Sequence, residues 1–378
     1  MPLYLSDEQV MLADTARPFL ANLAPVGHMR RLRDSADPAG YSPTLWKQFA
    51  EMGFTGILAD EADGGLGLGH VEAGIVLEEI GRNLTPSPFL SSAVGAVTAL
   101  KGATAEQRAR FLPGILAGDS VAAIAIDERA RHKPQHIALR ATRSGNGFRL
   151  DGTKNFVPFA HVADLLIIAT RTSGNDDDTD GITLFALERE QAGMAMEVAR
   201  LADASFASRL SFQGVQVGGD AVIGTVEGGR PLLDATLSAL RTGTASEMLG
   251  VAGGATDMTM AYLRDRMQFG QVIGSFQALQ HRAAHLYCEL ELARAATLKA
   301  QQLLDEGADG TDRAACVAKG MAGMASLLAV QEGVQMHGGI GMTDEYDVGF
   351  FMKRQRVLAE LYGDTDFHAD RIARMTGY

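Results

Sequence analysis

The sequence predicts an α+β fold with an N-terminal helical domain over 1–119, a middle antiparallel β domain over 120–226 and a C-terminal four-helix-type bundle over 227–378. Three observations predict it. Residues 1 to about 118 carry repeated helix-start and helix-stop signals. From Val121 to about Ile223 the apolar runs become short and β-branched, with turn residues between them. From about Gly228 long helical patterns return, rich in Ala, Gly and Met, which suits close helix–helix packing.

In the first part, Ser6 with Gln9 forms a capping box, the serine oxygen and the glutamine amide each satisfying an open backbone N–H. Ser42 before Pro43 opens another helix and Gly53 stops it. Glu61–Gly69 reads EADGGLGLG. It lacks both the G-x-G-x-x-G spacing and a preceding strand, so it predicts a tight connection and not a dinucleotide loop. Thr104 with Gln107 is a second capping box, on a helix ending near Gly114 to Gly118. In the middle part, Ile137–Arg143 and Phe148–Asp151 flank Ser-Gly-Asn-Gly, a hairpin signal. Leu165–Thr170 and Ile182–Glu188 predict strands. Asp176–Asp180 holds four Asp in five positions without EF-hand spacing, so it reads as a solvated loop. In the last part Leu286, Leu290, Ala293, Ala300 and Leu304 keep a helical stripe. Further helices are predicted from about Asp312 to Gly333, Tyr346 to Leu361 and Asp366 to Met375.

The 378 residues, 46% of them hydrophobic, are enough for two or three packed units. A net charge of -12 argues against a nucleic-acid partner. No apolar run of roughly eighteen residues stands out, so no membrane span is expected. The start, MPLYLSDEQ, lacks a basic stretch and an apolar run, and Cys288 and Cys316 form no CxxC. Both cysteines are expected as buried thiols in a reducing, cytoplasmic setting. The nine His show no HExxH spacing. His281 and His285 stand i, i+4 without a third ligand, so no metal is expected.

Chemistry concentrates in two glycine-broken segments. Arg266–Gln277 reads RMQFGQVIGSFQ, an ordered turn between two long helices that can aim an Arg and an aromatic ring outward. Gln335–Tyr346 reads QMHGGIGMTDEY, where Gly338 and Gly339 allow close backbone approach. Together these segments resemble the two FAD-contacting motifs of acyl-CoA dehydrogenases, R-x-x-F-G-x-x-I-x-x-F-Q and Q-x-x-G-G-x-G-[YFM]-T-x-E-[YFH]. Weaker similarity covers nearly the whole chain. The resemblance implies the same α–β–α fold and FAD as cofactor. Arg266 would meet the FAD diphosphate, Phe269 the adenine end, and Gln277, Gln335, Gly338, Gly339 and Thr365 would complete the contacts. His337 would touch the adenosine or cap its turn. In the β domain, LDGTKNFVPFAHVAD is similar to a family segment whose aromatic, here Phe156, packs near the isoalloxazine. Pro158 replaces a common Thr and cannot donate a hydrogen bond to flavin N5. The family's T-E-P-x-x-G-S-D loop is only partly kept, as Ile126 to Arg129, which leaves backbone contacts.

The family's reaction is α,β-dehydrogenation of an acyl-CoA thioester, with a carboxylate taking the α proton. Its usual Glu, in Y-E-G-T, falls on Gly363 of Tyr362-Gly363-Asp364-Thr365. The Gly363 N–H remains as a donor to the thioester oxygen. Asp364 is one candidate base; it also suits the N-cap of the next helix. Some relatives place the base just before the residue matching Arg241, but Leu240 stands there. Glu247, seven residues on, is a second candidate base, or a structural carboxylate held by an Arg. Arg241 is read as an active-site contact or a helix salt bridge. Tyr-Gly-Asp followed by His368 and Arg371 resembles a bacterial subgroup that includes enzymes for ring-bearing CoA thioesters and partner subunits of mixed tetramers.

Three functions stay open on this reading. One is an FAD-dependent acyl-CoA dehydrogenase, a homotetramer or one part of a heterotetramer, that passes electrons to an electron-transfer flavoprotein. Another is a subunit that completes a partner's FAD site without chemistry of its own. The last is a flavin oxidase or monooxygenase on the same fold.

Overall fold

The structure, a computed structural model, describes residues 2–378. Helices, then strands, then helices follow in order, as the α+β reading expects. The chain forms two compact units: Met1–Ala36 with His70–Pro86 and Arg241–Tyr378, and Asp37–Gly69 with Ser87–Leu240.

The first unit is all helical apart from one small hairpin. It holds α1 (Asp7–Leu23), α2 (Val26–Asp34), α4 (His70–Arg82), the larger part of α7 (Arg230–Asp265), α8 (Gln277–Glu306), α9 (Thr311–His337), α10 (Val348–Glu360) and α11 (Thr365–Met375). The Ser6–Gln9 capping box forms as expected. Leu286, Leu290, Ala293 and Ala300 are buried, so the α8 stripe does face the core. Glycines let α4 and α7 touch backbone to backbone. A Cβ on Gly81 would lie 2.1 Å from the Glu247 carbonyl oxygen, and one on Gly250 would lie 1.9 Å from that of Glu78. A side chain at either position would force the helices apart.

Thr311–Met342 is, among the described residues, the one helical stretch long and apolar enough on average to cross a membrane, although Lys319 and Gln331 keep it from being an unbroken apolar run. Its small residues raise its hydropathy, and 61% of its most apolar window is buried inside the structure. Cys316 is buried as expected, but Cys288 is exposed on the outer face of α8, which corrects the reading of both as buried thiols.

The second unit holds α3 (Pro43–Glu51), a π-type turn Leu90–Ala96 running into α5 (Val97–Leu100), α6 (Ala105–Leu116) and an eight-stranded sheet. The Thr104–Gln107 box caps α6. In the tight connection Glu61–Gly69, a Cβ on Gly65 would lie 2.1 Å from the Ala59 carbonyl oxygen.

The strands are β1 (Ala122–Ala125), β2 (Arg140–Ser144), β3 (Gly147–Pro158), β4 (Leu165–Arg171), β5 (Ile182–Glu188), β6 (Met194–Arg200), β7 (Phe206–Gly218) and β8 (Val222–Ile223). Their order is β6-β7-β3-β2-β4-β5-β8, with β1 on β4. The expected hairpin joins β2 and β3, Ser144 pairing with Gly147. β2 starts later than expected, at Arg140, because Ala138 and Leu139 give their N–H groups to the Glu128 carboxylate. The sheet is also not purely antiparallel, since β4 runs parallel to both β1 and β2. Such long-range pairings leave no local alternation to read.

Candidate active site

In the sheet unit, the functional feature is a bulge. Lys154 of β3 pairs with Leu210 and Val157 with Ser208, so β3 takes three steps where β7 takes two. The extra residue turns the backbone left-handed at Phe156, with φ 51°. Bulges re-aim side chains in this way, and a bulky residue at positive φ persists only where its surroundings hold it. Here they do. Asn155 donates its backbone N–H to Asp127 O (2.7 Å) and its side-chain amide to Glu128 O (2.6 Å). Lys154, fully buried, donates to Ile126 O (2.9 Å) and to the Glu128 carboxylate (2.7 Å). Burial pushes the Lys154 ammonium below the usual lysine range, and Glu128 opposes that shift. The loop Ile126–Arg129 is therefore braced against the bulge. Phe156 and Pro158 are half-buried beside it, whereas the Ile126 side chain is buried and its carbonyl is committed to Lys154. The sequence reading missed Lys154 and Glu128. Their signal was Lys154 itself, inside the segment LDGTKNFVP.

In the helical unit, Arg266–Gln277 holds a short hairpin, β9 (Met267–Gln268) with β10 (Gln271–Val272). Phe269 at its tip has φ 51° and is 92% exposed. Its ring meets Phe276 edge-on, with centroids 6.2 Å apart. Arg266 and Gln277 are exposed, and among the described residues the Arg266 guanidinium has no ion pair. An outward aromatic ring beside an uncommitted cation can receive an aromatic, anionic ligand. At the end of α9, Gln335, Gly338 and Gly339 are exposed, and a Cβ on either glycine would meet nothing within 4 Å. His337 between them is buried, which suits the capping alternative of its two readings. Its Nδ1 donates to Gly333 O (2.6 Å) and its ring packs on Tyr262 (4.5 Å) and Tyr346 (4.7 Å). Burial lowers its affinity for a proton, so it stays a neutral cap of α9.

The turn after α10 brings the remaining candidates together. Gly363 has φ 108°, which favours glycine, and a Cβ there would lie 2.4 Å from the Phe367 ring and 3.0 Å from His368 Nε2. No side chain fits. Its N–H makes a long bond to Glu360 O, 3.3 Å. Asp364 is the N-cap of α11, accepting the Phe367 N–H at 2.7 Å. Thr365 is half-buried and turned toward Gly323 of α9. Arg241 is buried, donating to Tyr362 O (3.4 Å) and to Asp312 (3.2 Å), which also pairs with Arg371. Lys319 of α9, equally buried, donates to Ala359 O (3.2 Å) and Gly363 O (3.0 Å). Burial drives its ammonium down to about 7, with Asp364 and Glu360 pushing it up and Arg241 further down. The sequence reading missed Lys319 as well.

Glu247 is buried too, and both Nε and Nη2 of Arg354 donate to its Oε1, at 2.8 and 2.5 Å. A buried carboxylate whose Oε1 takes two bonds from one guanidinium suits the structural role better than that of a free base.

Comparison with known proteins agrees with this layout. The family descriptions "Acyl-CoA dehydrogenase, N-terminal domain" and "Acyl-CoA dehydrogenase, C-terminal domain" match residues 6–119 and 227–376. The chain is 28% identical, over 98% of its length and 85% of the relative's, to the mitochondrial short/branched chain specific acyl-CoA dehydrogenase of Rattus norvegicus. It superposes on a solved structure described as the Tcur3481–Tcur3483 steroid ACAD with a TM-score of 0.89, 29% identity and 98% of both chains covered. A structure described as the electron transferring flavoprotein of Acidaminococcus fermentans gives a TM-score of 0.92 at 26% identity, covering all of both chains.

Proposed function

This chain belongs to the acyl-CoA dehydrogenase family, flavoprotein oxidoreductases acting on the CH–CH bond of acyl-CoA thioesters, and we propose that it works as one subunit of a mixed assembly whose catalytic base comes from another chain. The observation that carries the reading is Gly363. The base position of the family motif has no side chain here, and the surrounding ring atoms leave no room for one. The two substitute carboxylates are committed elsewhere, Asp364 to a helix cap and Glu247 to Arg354. The two-component description of the steroid ACAD relative supports the same reading.

The residues present fit FAD. Exposed Arg266 and Phe269, with Gln277, would hold the diphosphate and adenine end, and Gln335, Gly338 and Gly339 would let backbone approach the adenosine side. Phe156, with the backbone of the braced Ile126–Arg129 loop, would line the flavin ring, and Thr365 would offer its hydroxyl. When bound, FAD supplies the acceptor for the β hydrogen as hydride. Pro158 has no backbone N–H to donate to the ring. The Gly363 N–H would hold the thioester oxygen as enolate charge develops. Electrons would leave to an electron-transfer flavoprotein, in line with the flavoprotein structure that this chain superposes on. Ring-bearing thioesters are the substrate class favoured by the steroid relative.

An anaerobic titration of the purified chain with short, long and ring-bearing acyl-CoA thioesters tests the reading. The expected result is yellow protein whose flavin spectrum shifts on binding but does not bleach. Bleaching by the chain alone would overturn it, and Glu247→Gln would then show whether Glu247 is the base.

A further inference from the structure

The glycine turn after α9 is fastened by α2. Every position from Gly338 to Glu345 except Gly341 is exposed, and a Cβ on Gly338 or Gly339 would meet nothing within 4 Å. A segment so open and so rich in glycine has many conformations to lose when it meets a ligand. Two arginines standing i, i+3 on α2 restrict it. Arg30 donates from Nε to the Asp347 carboxylate at 2.6 Å and from Nη1 to Asp344 O at 2.8 Å. Arg33 holds the Asp344 carboxylate with both Nη atoms, at 2.7 and 2.9 Å. The two guanidinium carbons lie 4.3 and 4.6 Å from the centre of the buried Phe350 ring on α10, and Lys353 Nζ lies 5.1 Å from it. A bidentate arginine–carboxylate contact fixes direction as well as distance. Asp347 gives up an ordinary role for this. It stands at the N-cap of α10, yet its side chain makes no capping bond and goes to Arg30. Pairs this close to the surface add little to global stability. What they do here is hold a loop in one direction.

We infer that Arg30 and Arg33 are positioning residues for FAD, keeping Gly338 and Gly339 in the conformation their backbone needs to receive the adenosine side. The turn is fixed at one end by the His337 cap of α9 and at the other by the α2 arginines. Its ordering is complete before the cofactor arrives, so binding does not have to supply it. Arg33 holds the Asp344 carboxyl below the usual carboxylate range, so the clamp stays charged at neutral pH. The inference rests on the reading that Gly338 and Gly339 face the adenosine side of FAD.

Fluorescence titration of the flavin-stripped whole chain with FAD tests it without any turnover. Arg33→Met is expected to bind FAD about tenfold more weakly than wild type. Asp344→Asn is expected to weaken binding to a similar degree, and the double variant no further, because the two changes remove one contact. The melting temperatures of the flavin-free variants should stay within about 2 °C of wild type, as for exposed ion pairs in a chain of this size. Arg17→Met, which removes an ion pair from α1 to Glu79, is the control and should bind FAD like wild type. Arg30→Met carries the comparison if Arg33→Met does not fold. Wild-type affinity in the folded variants would overturn the inference and leave the function reading standing. Additive losses in the double variant, or a loss that Arg17→Met shares, would overturn the positioning role. No FAD binding by the wild-type chain would overturn the cofactor reading and this inference with it.

Discussion

Two irregular turns, the β3 bulge at Phe156 and the turn at Gly363, are built on the same plan with opposite electrostatics. Each has left-handed backbone, φ 51° at Phe156 and 59° and 108° at Tyr362 and Gly363. Each is held by a fully or nearly fully buried lysine that donates to a backbone carbonyl. Lys154 is neutralised on the spot by Glu128 at 2.7 Å, so its charge ends where it starts. Lys319 meets two carbonyls and, among the described residues, no ion pair, and burial lowers its ammonium to about 7. The first arrangement aims an aromatic ring. The second leaves out the side chain and holds a bare backbone turn through its carbonyls.

The contrast is broken most severely at Lys154. Lys154→Met takes the cation from the buried Glu128 carboxylate and leaves it only the Ala138 and Leu139 N–H groups, and a loss of about 3 kcal/mol in urea unfolding is expected. A loss below about 1 kcal/mol would mean that the pair is not the brace. Gly363→Glu is next. The backbone strain alone should cost about 1–3 kcal/mol, with the clash against Phe367 added. The variant should not gain flavin reduction by thioesters; bleaching within it would show that the turn can reopen to seat a base.

Lys319 should be legible in the pH dependence of stability. Its folded value is lowered from 10.5 to about 7, so between these limits the unfolded chain binds a proton that the folded chain does not. Stability from this group therefore rises with pH through that window and is flat below it. Comparing wild type with Lys319→Met, the difference should move toward wild type by up to about 1.4 kcal/mol per pH unit from about pH 7 upward. Parallel profiles would place the ammonium in a far wetter setting. The smallest effect belongs to Asp364→Ala, which removes the cap of α11 and should cost about 1 kcal/mol without changing flavin content. Loss of flavin in that variant would assign Asp364 a role beyond the cap.

Much of this was readable from residues. The capping boxes at Ser6 and Thr104, the Ser144–Gly147 hairpin and the flanking strands are local signals, and local chemistry decided them. The proposal of a missing base starts from residues as well, because Gly363 and Leu240 stand where the family resemblance would place carboxylates. Hidden from sequence were the features set by distant partners: the parallel pairing of β1 and β2 with β4, the bulge that turns Phe156, and the burial of two lysines. Lys319 did leave a trace. It sits among the buried Ala315, Ala318 and Ala322, on the face of α9 that packs inward. A lysine on an alanine face is costly unless something repays its burial, and the carbonyls of the 359–363 turn are what it finds.

The central claim is that this site keeps the oxygen-binding half of the reaction and has lost the proton-removing half. Exchange of the α protons of a bound saturated acyl-CoA with deuterated buffer, followed on the chain alone by NMR, tests it most directly. The account predicts a flavin spectrum perturbed by binding and no exchange above the uncatalysed rate. Rapid exchange that disappears in Glu247→Gln would contradict it, and would make this chain a complete dehydrogenase with its base on α7.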